Sequence, residues 1–271
     1  DAAHVLAAGM ATDGKLNGTG VLSVTTTGAL QSAGQALATG QVTLTGASLD
    51  LSTANASPTV STVASTGGST TLQATSGHVL TKSAQISASD QLSITANTQA
   101  SQKLDNTSGQ LSAKQLSIQV GQLDNAQGAI YQTGTGAQTA NIHSAGTVNN
   151  SAGRIVANAQ DLTLNANGEL TNTDGLIGHA GSGTLSLSMA SLDNTRGQIV
   201  GNGAATLAST GAVTNAGSIV AAKDLRTTAS SVSNSGALYA GANQSLTVGN
   251  AITNSGTLAA EIGRASCRER V

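Results

Sequence analysis

The sequence contains no Phe and no Trp, and only two Tyr, Tyr131 and Tyr239. Ordinary globular cores draw much of their burial from large aromatics, so a conventional layered core is disfavoured. Proline occurs once, at Pro58, and cysteine once, at Cys267. Charged residues make up 9% of the 271 residues, with a net charge of -2. Typical domains carry roughly a quarter charged residues. Disordered chains pair low hydrophobicity with high net charge, and this near-neutral chain does not. No basic stripe is present, which argues against a nucleic-acid partner. No run approaches the roughly 18 apolar residues of a membrane span. No signal peptide is visible at Asp1, so the chain reads as an internal fragment, and export of a parent protein stays open.

The last eleven residues, "EIGRASCRERV" (261–271), break these rules. They hold three of the six Arg, two of the three Glu and the only Cys. Without them the chain carries 8 basic and 11 acidic residues, a net of -3. The string resembles the translation of a common sequencing adapter, with Glu261 at the junction. Residues 261–271 are therefore expected to be non-native, rather than a basic tail with a reactive thiol. The remainder lacks thiols, which fits an exported protein.

What is present is a repeat. The phrase aliphatic-x-Asn, one or two residues, Gly-x-aliphatic occurs eight times between "LDNTSGQL" (104–111) and "ITNSGTL" (252–258). The asparagines are Asn106, Asn125, Asn150, Asn172, Asn194, Asn215, Asn234 and Asn254, spaced 19, 25, 22, 22, 21, 19 and 20 residues apart. A second element lies between them, as "QLSI" (115–118), "DLTL" (161–164), "TLSL" (184–187) and "SLTV" (245–248). It also appears upstream as "VLSV" (21–24), "QVTL" (41–44) and "QLSI" (91–94). Its strict apolar/polar alternation marks a half-buried strand.

Each repeat of about 22 residues thus offers three short strands: one ending before Asn, one starting after Gly, and the Leu-Thr-Leu element. The reading is all-β, a parallel β-helix whose coils stack roughly 4.8 Å apart. Stacked aliphatics fill a narrow interior in which Phe or Trp would overpack. Gly after the Asn turn is expected to supply a positive φ. Asn tolerates the same region and bonds local backbone, and stacked asparagines form an amide ladder. A leucine-rich repeat has a similar period, but the Gly, Ser and Thr-rich return segments here are poor helix formers.

Residues 101–260 carry the regular repeats and residues 1–100 degenerate coils. Between Leu44 and Leu72 the period stretches to 28, and with Pro58 unable to serve a central ladder a loop or bulge is expected within 53–70. Neither end reads as a polar cap, so the native protein is expected to continue both ways.

The chemistry is sparse. Asp105, Asp124 and Asp193 recur at one corner, but the site is Thr, Ser or Asn in other copies, so a turn role is favoured over cation binding. His4, His78, His143 and His179 share no metal-ligand spacing and are expected at the surface. "GNGAATLASTG" (201–211) lacks the spacing and context of a nucleotide fingerprint. A polysaccharide-active β-helix enzyme would cluster carboxylates or basic residues on one face. The basic residues Lys15, Lys82, Lys103, Lys114, Arg154, Arg196, Lys223 and Arg226 fall in different coils. No catalytic, cofactor-binding or metal-binding residue is assigned, and no cofactor. Tyr131 and Tyr239 share one coil position and are expected to point outward. Threonine-rich solenoids also bind ice, but "VTTTG" (24–28) does not repeat in register.

The aliphatic-x-Asn-x-x-Gly-x-Ile phrase with "DLTL" between copies resembles the haemagglutinin repeats of filamentous haemagglutinin-like exoproteins, well over residues 100–260 and weakly over 1–100. The resemblance implies a long right-handed β-helix at a Gram-negative surface, exported through an outer-membrane two-partner secretion transporter. It implies one of two roles: adhesion to a host or bacterial receptor, or presentation of a contact-dependent growth inhibition toxin. The expectation is a non-catalytic stalk segment, with adhesion placed ahead of toxin delivery.

Overall fold

The computed structural model describes residues 5–261 and 265–269, apart from 10, 12, 14, 16, 55–58, 98 and 100. Every regular element among the described residues is a strand, and every pairing is parallel. Three ladders run side by side along a solenoid of about 11 turns. At the inter-strand spacing of a β-sheet this is a rod on the order of 50 Å long.

The first face stacks the strands that lead into the Asn corner. It runs from Ala29–Gln31 through Lys103–Asp105, Gln122–Asp124 and Glu169–Thr171 to residues 251–254. The second face stacks the strands that leave the corner, from Val5–Ala8 to Thr257–Ala260. The third is the Leu-Thr-Leu element, from Leu22–Thr25 onward. Single long strands such as Gln110–Val120 serve two faces, with the register slipping at the corner between Ala113 and Leu116.

Period-two alternation decides what lies inside. On the third face Leu92 and Ile94 sit over Leu116 and Ile118, and all four are buried, while Ser93 and Ser117 face out. On the second face most coils bury one large aliphatic, such as Ile155, Ile177 and Ile199, and Ala36 takes that position upstream. Two residues later most coils bury a small one, such as Ala113, Ala157 or Ala221. The first face contributes one aliphatic per coil, Leu104, Leu123, Val148, Leu170 and Leu192, followed two residues later by the asparagine. Side chains of this size, meeting across a triangle from three faces, leave no room for Phe or Trp at the large-aliphatic positions.

The upstream strands keep the same phase. Val24 pairs with Leu44 and Leu44 with Leu72, so the 28-residue step is a longer coil in an unbroken ladder. Within 53–70, the strand Thr62–Ser65 lies in the second face. The rest of the expected loop falls largely on residues 55–58, with Pro58, which lie outside the described residues. Thr53 Oγ1 donates to Ser83 O at 2.6 Å and accepts from Ser61 N at 3.0 Å. A further excursion has no counterpart in the sequence reading. Residues 133–139 interrupt the pairing of Ala129–Ser144 with Arg154–Ala166, which is why that repeat takes 25 residues.

The strand Ala265–Glu269 pairs with residues 244–248 on the third face. An open parallel edge accepts any extended segment through backbone groups alone.

Candidate functional site

The most organised polar feature lies inside the solenoid. Asn106 Nδ2 donates to Asn125 Oδ1 at 2.7 Å, and the pattern repeats through Asn150, Asn172, Asn194, Asn215 and Asn234 to Asn254 at 2.7–2.8 Å. Thr81 begins the column, its Oγ1 donating to Asn106 Oδ1 at 3.0 Å. Each amide also reaches the backbone. Asn172 Nδ2 lies 3.3 Å from Gly175 O, closing its own corner, and 3.2 Å from Gln198 O in the next coil. These asparagines are 0–1% exposed from Asn106 to Asn234. Buried amides are tolerated only when satisfied, and here each one ties three consecutive corners together.

The corner glycines do a different job from the one expected. Gly109, Gly128, Gly153, Gly175 and Gly197 do not have positive φ; the residue before each does, as Ser108, Gln127, Ala152, Asp174 and Arg196 at +53° to +57°. The asparagines are not in that region either. Glycine is required by close approach. A Cβ on Gly153 would lie 2.1 Å from Asn125 O and 2.8 Å from Asn150 Oδ1. The left-handed residue turns the chain, and the glycine lets one corner sit directly on the last. Ala152 therefore carries avoidable strain: Ala152→Gly is expected to stabilise the protein by about 0.5–1 kcal/mol, read as a raised urea midpoint. An unchanged or lowered midpoint would contradict the strain.

The acidic corner positions are turn residues. Asp193 Oδ1 accepts from Thr195 N at 2.9 Å and Thr195 Oγ1 at 2.6 Å. Asp124 Oδ1 accepts from Ala126 N, and Asn149 Oδ1 does the same for Ser151. Asp105 adds ion pairs to Lys103 Nζ at 2.7 Å and Lys82 Nζ at 3.2 Å. Its side chain is 2% exposed. Burial by itself pushes this carboxyl up, but Lys103, the Thr107 hydroxyl, Lys82 and the Thr107 N–H together outweigh it and hold the pKa at about 2. A folded pKa below the ordinary 3.8 contributes stability that is complete above pH 4 and fades as pH falls towards 2. Asp105→Asn keeps the turn acceptor but loses the charge. Wild type is expected to exceed it by about 2 kcal/mol at pH 7, with the two converging near pH 2. Parallel stability curves over that range would refute the assignment.

The buried polar side chains missed in the sequence include Gln132 and His179. Gln132 and His179 occupy the inward second-face position usually taken by Ala, and both are 2% exposed. The expectation of a surface location for histidine fails at His179; His78 and His143 are half-buried, and His4 lies outside the described residues. Gln132 Oε1 accepts from Asn158 N at 2.8 Å and Ala159 N at 2.6 Å, and its Nε2 donates to Gly134 O at 2.6 Å and to Lys114 O. His179 Nε2 sits 3.0 Å from Ala159 O and 3.1 Å from Gln160 O, so it donates. The two side chains satisfy the 157–160 corner from either side, where the 133–139 excursion has displaced the normal coil-to-coil bonds.

Two depressions on the surface of the described residues are lined by polar side chains. One, of about 210 Å³, lies beside Arg154, Asp174 and Arg196, the last two joined by a bidentate pair at 2.6–2.7 Å. The other, of about 410 Å³, lies below the excursion, beside Gln138, Asn141, Gln160, Asp161 and Thr163. Among the described residues no three His, Cys, Asp or Glu side chains converge as a metal site, and no helix is long and apolar enough to cross a membrane. Tyr131 and Tyr239 follow the buried Ile130 and Leu238 and take the same outward position on the second face.

Comparison with curated proteins and with solved structures returns no match. The haemagglutinin repeat family model matches in five overlapping segments, 5–67, 48–115, 65–152, 133–188 and 180–258. The matches cover the degenerate upstream coils as well as the regular ones. Stacked corners, a satisfied amide column and family matches along nearly the whole chain agree, and the chain belongs to the haemagglutinin repeat family, as a repeat segment of the filamentous haemagglutinin type.

Proposed function

We propose that this adhesin-like segment is part of the non-catalytic stalk of a large surface protein, exported by two-partner secretion to the outside of a Gram-negative cell. The observation that carries the reading is the ladder itself. Side chains from all three faces are spent on stacking coil upon coil, which yields reach and stiffness along one axis. The outer-membrane transporter acts through a secretion domain elsewhere in the parent protein, and a cell-surface receptor is met by the filament. Residues 261–271 are read as a non-native tail, in keeping with a family match that stops at residue 258.

An antibody against residues 101–260, applied to intact cells of the source bacterium, tests the reading. Labelled filaments projecting from the outer surface are expected. Labelling only after lysis would overturn it. Toxin delivery is the second reading, and a long sequencing read through both flanks of the gene separates the two. A toxin-like region followed by a small immunity gene makes this a contact-inhibition stalk, whereas repeats without one favour an adhesin.

A further inference from the structure

The outward side of the second face carries a central column that is apolar at Ala7, Leu37 and Ala64 and polar at Ser87 and Ser112. Over the next six coils it reads Tyr131, Val156, Gly178, Val200, Val220, Tyr239. The corresponding column of the third face stays polar, with Ser117, Asn141, Thr163, Ser186 and Thr206. An apolar stripe on a rod whose third face stays polar marks an interaction surface.

The stripe has a shape. Val200 stands out at 38% exposed. One coil away Gly178 leaves a gap: a Cβ there would find Val156 at 3.7–3.8 Å and Leu176 at 4.0 Å, and no closer atom. The column is also nearly palindromic. Reversing it pairs Tyr131 with Tyr239, Val156 with Val220 and Gly178 with Val200. A two-fold axis lying in the interface and perpendicular to the rod imposes this reversal and makes each contact twice. Pairing in the parallel sense would instead oppose Val200 to Val200 and leave two Gly178 gaps facing each other. The antiparallel pairing also keeps the two copies of Arg154 at opposite ends, each opposite Ser218.

We propose that this face binds a second copy of the same chain in antiparallel register, Val200 of each copy entering the gap over Gly178 of the other. Six coils span roughly 30 Å, and three outward columns roughly 20 Å, so about 600 Å² per copy is covered. That is about 1,200 Å² in total, at the lower limit for a specific interface. One segment therefore associates weakly, on the order of tens to hundreds of micromolar, and repetition along a longer filament would add avidity. Antiparallel pairing suits filaments that meet from facing cells. Only that consequence rests on the stalk reading; the pairing is measured on the purified chain and stands or falls separately.

The test uses the full chain carrying Cys267→Ser, which leaves no other thiol. Gly178→Cys and Val200→Cys chains are mixed and mildly oxidised. The mixed 178–200 dimer is expected to exceed either self-dimer about tenfold. Sedimentation equilibrium is expected to show reversible dimers that Val200→Lys weakens at least about tenfold, while Thr206→Lys on the third face leaves them unchanged, with β-sheet circular dichroism retained in both. A predominance of Val200→Cys self-dimers would overturn the antiparallel register. Monomers at millimolar concentration together with no mixed cross-link would overturn the interface.

Discussion

Replacing Asn172 by Ala is expected to cost about 3–5 kcal/mol, among the largest effects of any single side-chain truncation in the chain. The amide accepts from Asn150 Nδ2 at 2.7 Å and donates to Asn194 Oδ1, Gly175 O and Gln198 O. Truncation leaves three acceptors, one in its own coil and two in the next, without their donor, and takes an acceptor from Asn150 Nδ2 in the coil before, at a site that is 0% exposed. Water cannot replace the lost partner without opening the corner. The same change at Asn254 is expected to cost under about 1 kcal/mol, because that residue is exposed and solvent stands in for the amide. Urea unfolding of the two variants checks the contrast. Equal losses at both positions would mean that the column is decorative. The column is also a unit. In the upstream coils Leu51 fills the same position, fully buried, with no amide beside it. Apolar occupancy is therefore acceptable when neighbouring coils make no demand on it, and single replacements should cost more than their share of a whole-column replacement.

Gly175→Ala is expected to be as damaging, at about 4 kcal/mol or more. The new methyl carbon would lie 2.2 Å from Asn150 O and 2.6 Å from Asn172 Oδ1. Neither atom can retreat, since one is backbone of the coil beneath and the other belongs to the ladder. The two corners would have to separate, and the amide column would lengthen at that point. Gly178→Ala, three residues later, meets nothing closer than 3.7 Å and is expected to be nearly neutral, within about 0.5 kcal/mol. Thermal unfolding of both proteins gives the comparison, and a tolerated Gly175→Ala would show that the corners are not in contact.

The contrast between these glycines shows where the sequence is legible. Alternation in "DLTL" and its relatives gives the third face, and the aliphatics flanking the asparagine phrase give the other two, because strand periodicity is local. The amide ladder was also readable, since eight asparagines at one coil length fall one above another. The corner mechanics were not. Asp174 and Arg196 carry the left-handed turn although Gly175 and Gly197 adjoin them, because contact with the coil beneath outweighs the local preference of glycine for positive φ. That contact exists only once the coils are stacked. Gln132 and His179 illustrate the same limit. Each breaks an otherwise small-residue column, and the reason is a corner some 20–27 residues away in sequence that lacks its usual partners. The apolar column from Tyr131 to Tyr239 likewise becomes a surface only when outward positions about 20 residues apart are brought into register.

The most direct test of the account is a pair of deletions. Removing residues 173–194 takes out one whole coil and joins Asn172 to Thr195 with every ladder still in phase. Removing residues 173–183 takes out half a coil and sets the first-face strands against the third. Circular dichroism and urea unfolding of the two proteins are then compared with the parent. If the chain is a stack of equivalent coils, the whole-coil deletion keeps the β-sheet spectrum and unfolds cooperatively near the parental midpoint, and the half-coil deletion does not. Equal damage from both would contradict the stacked-coil account.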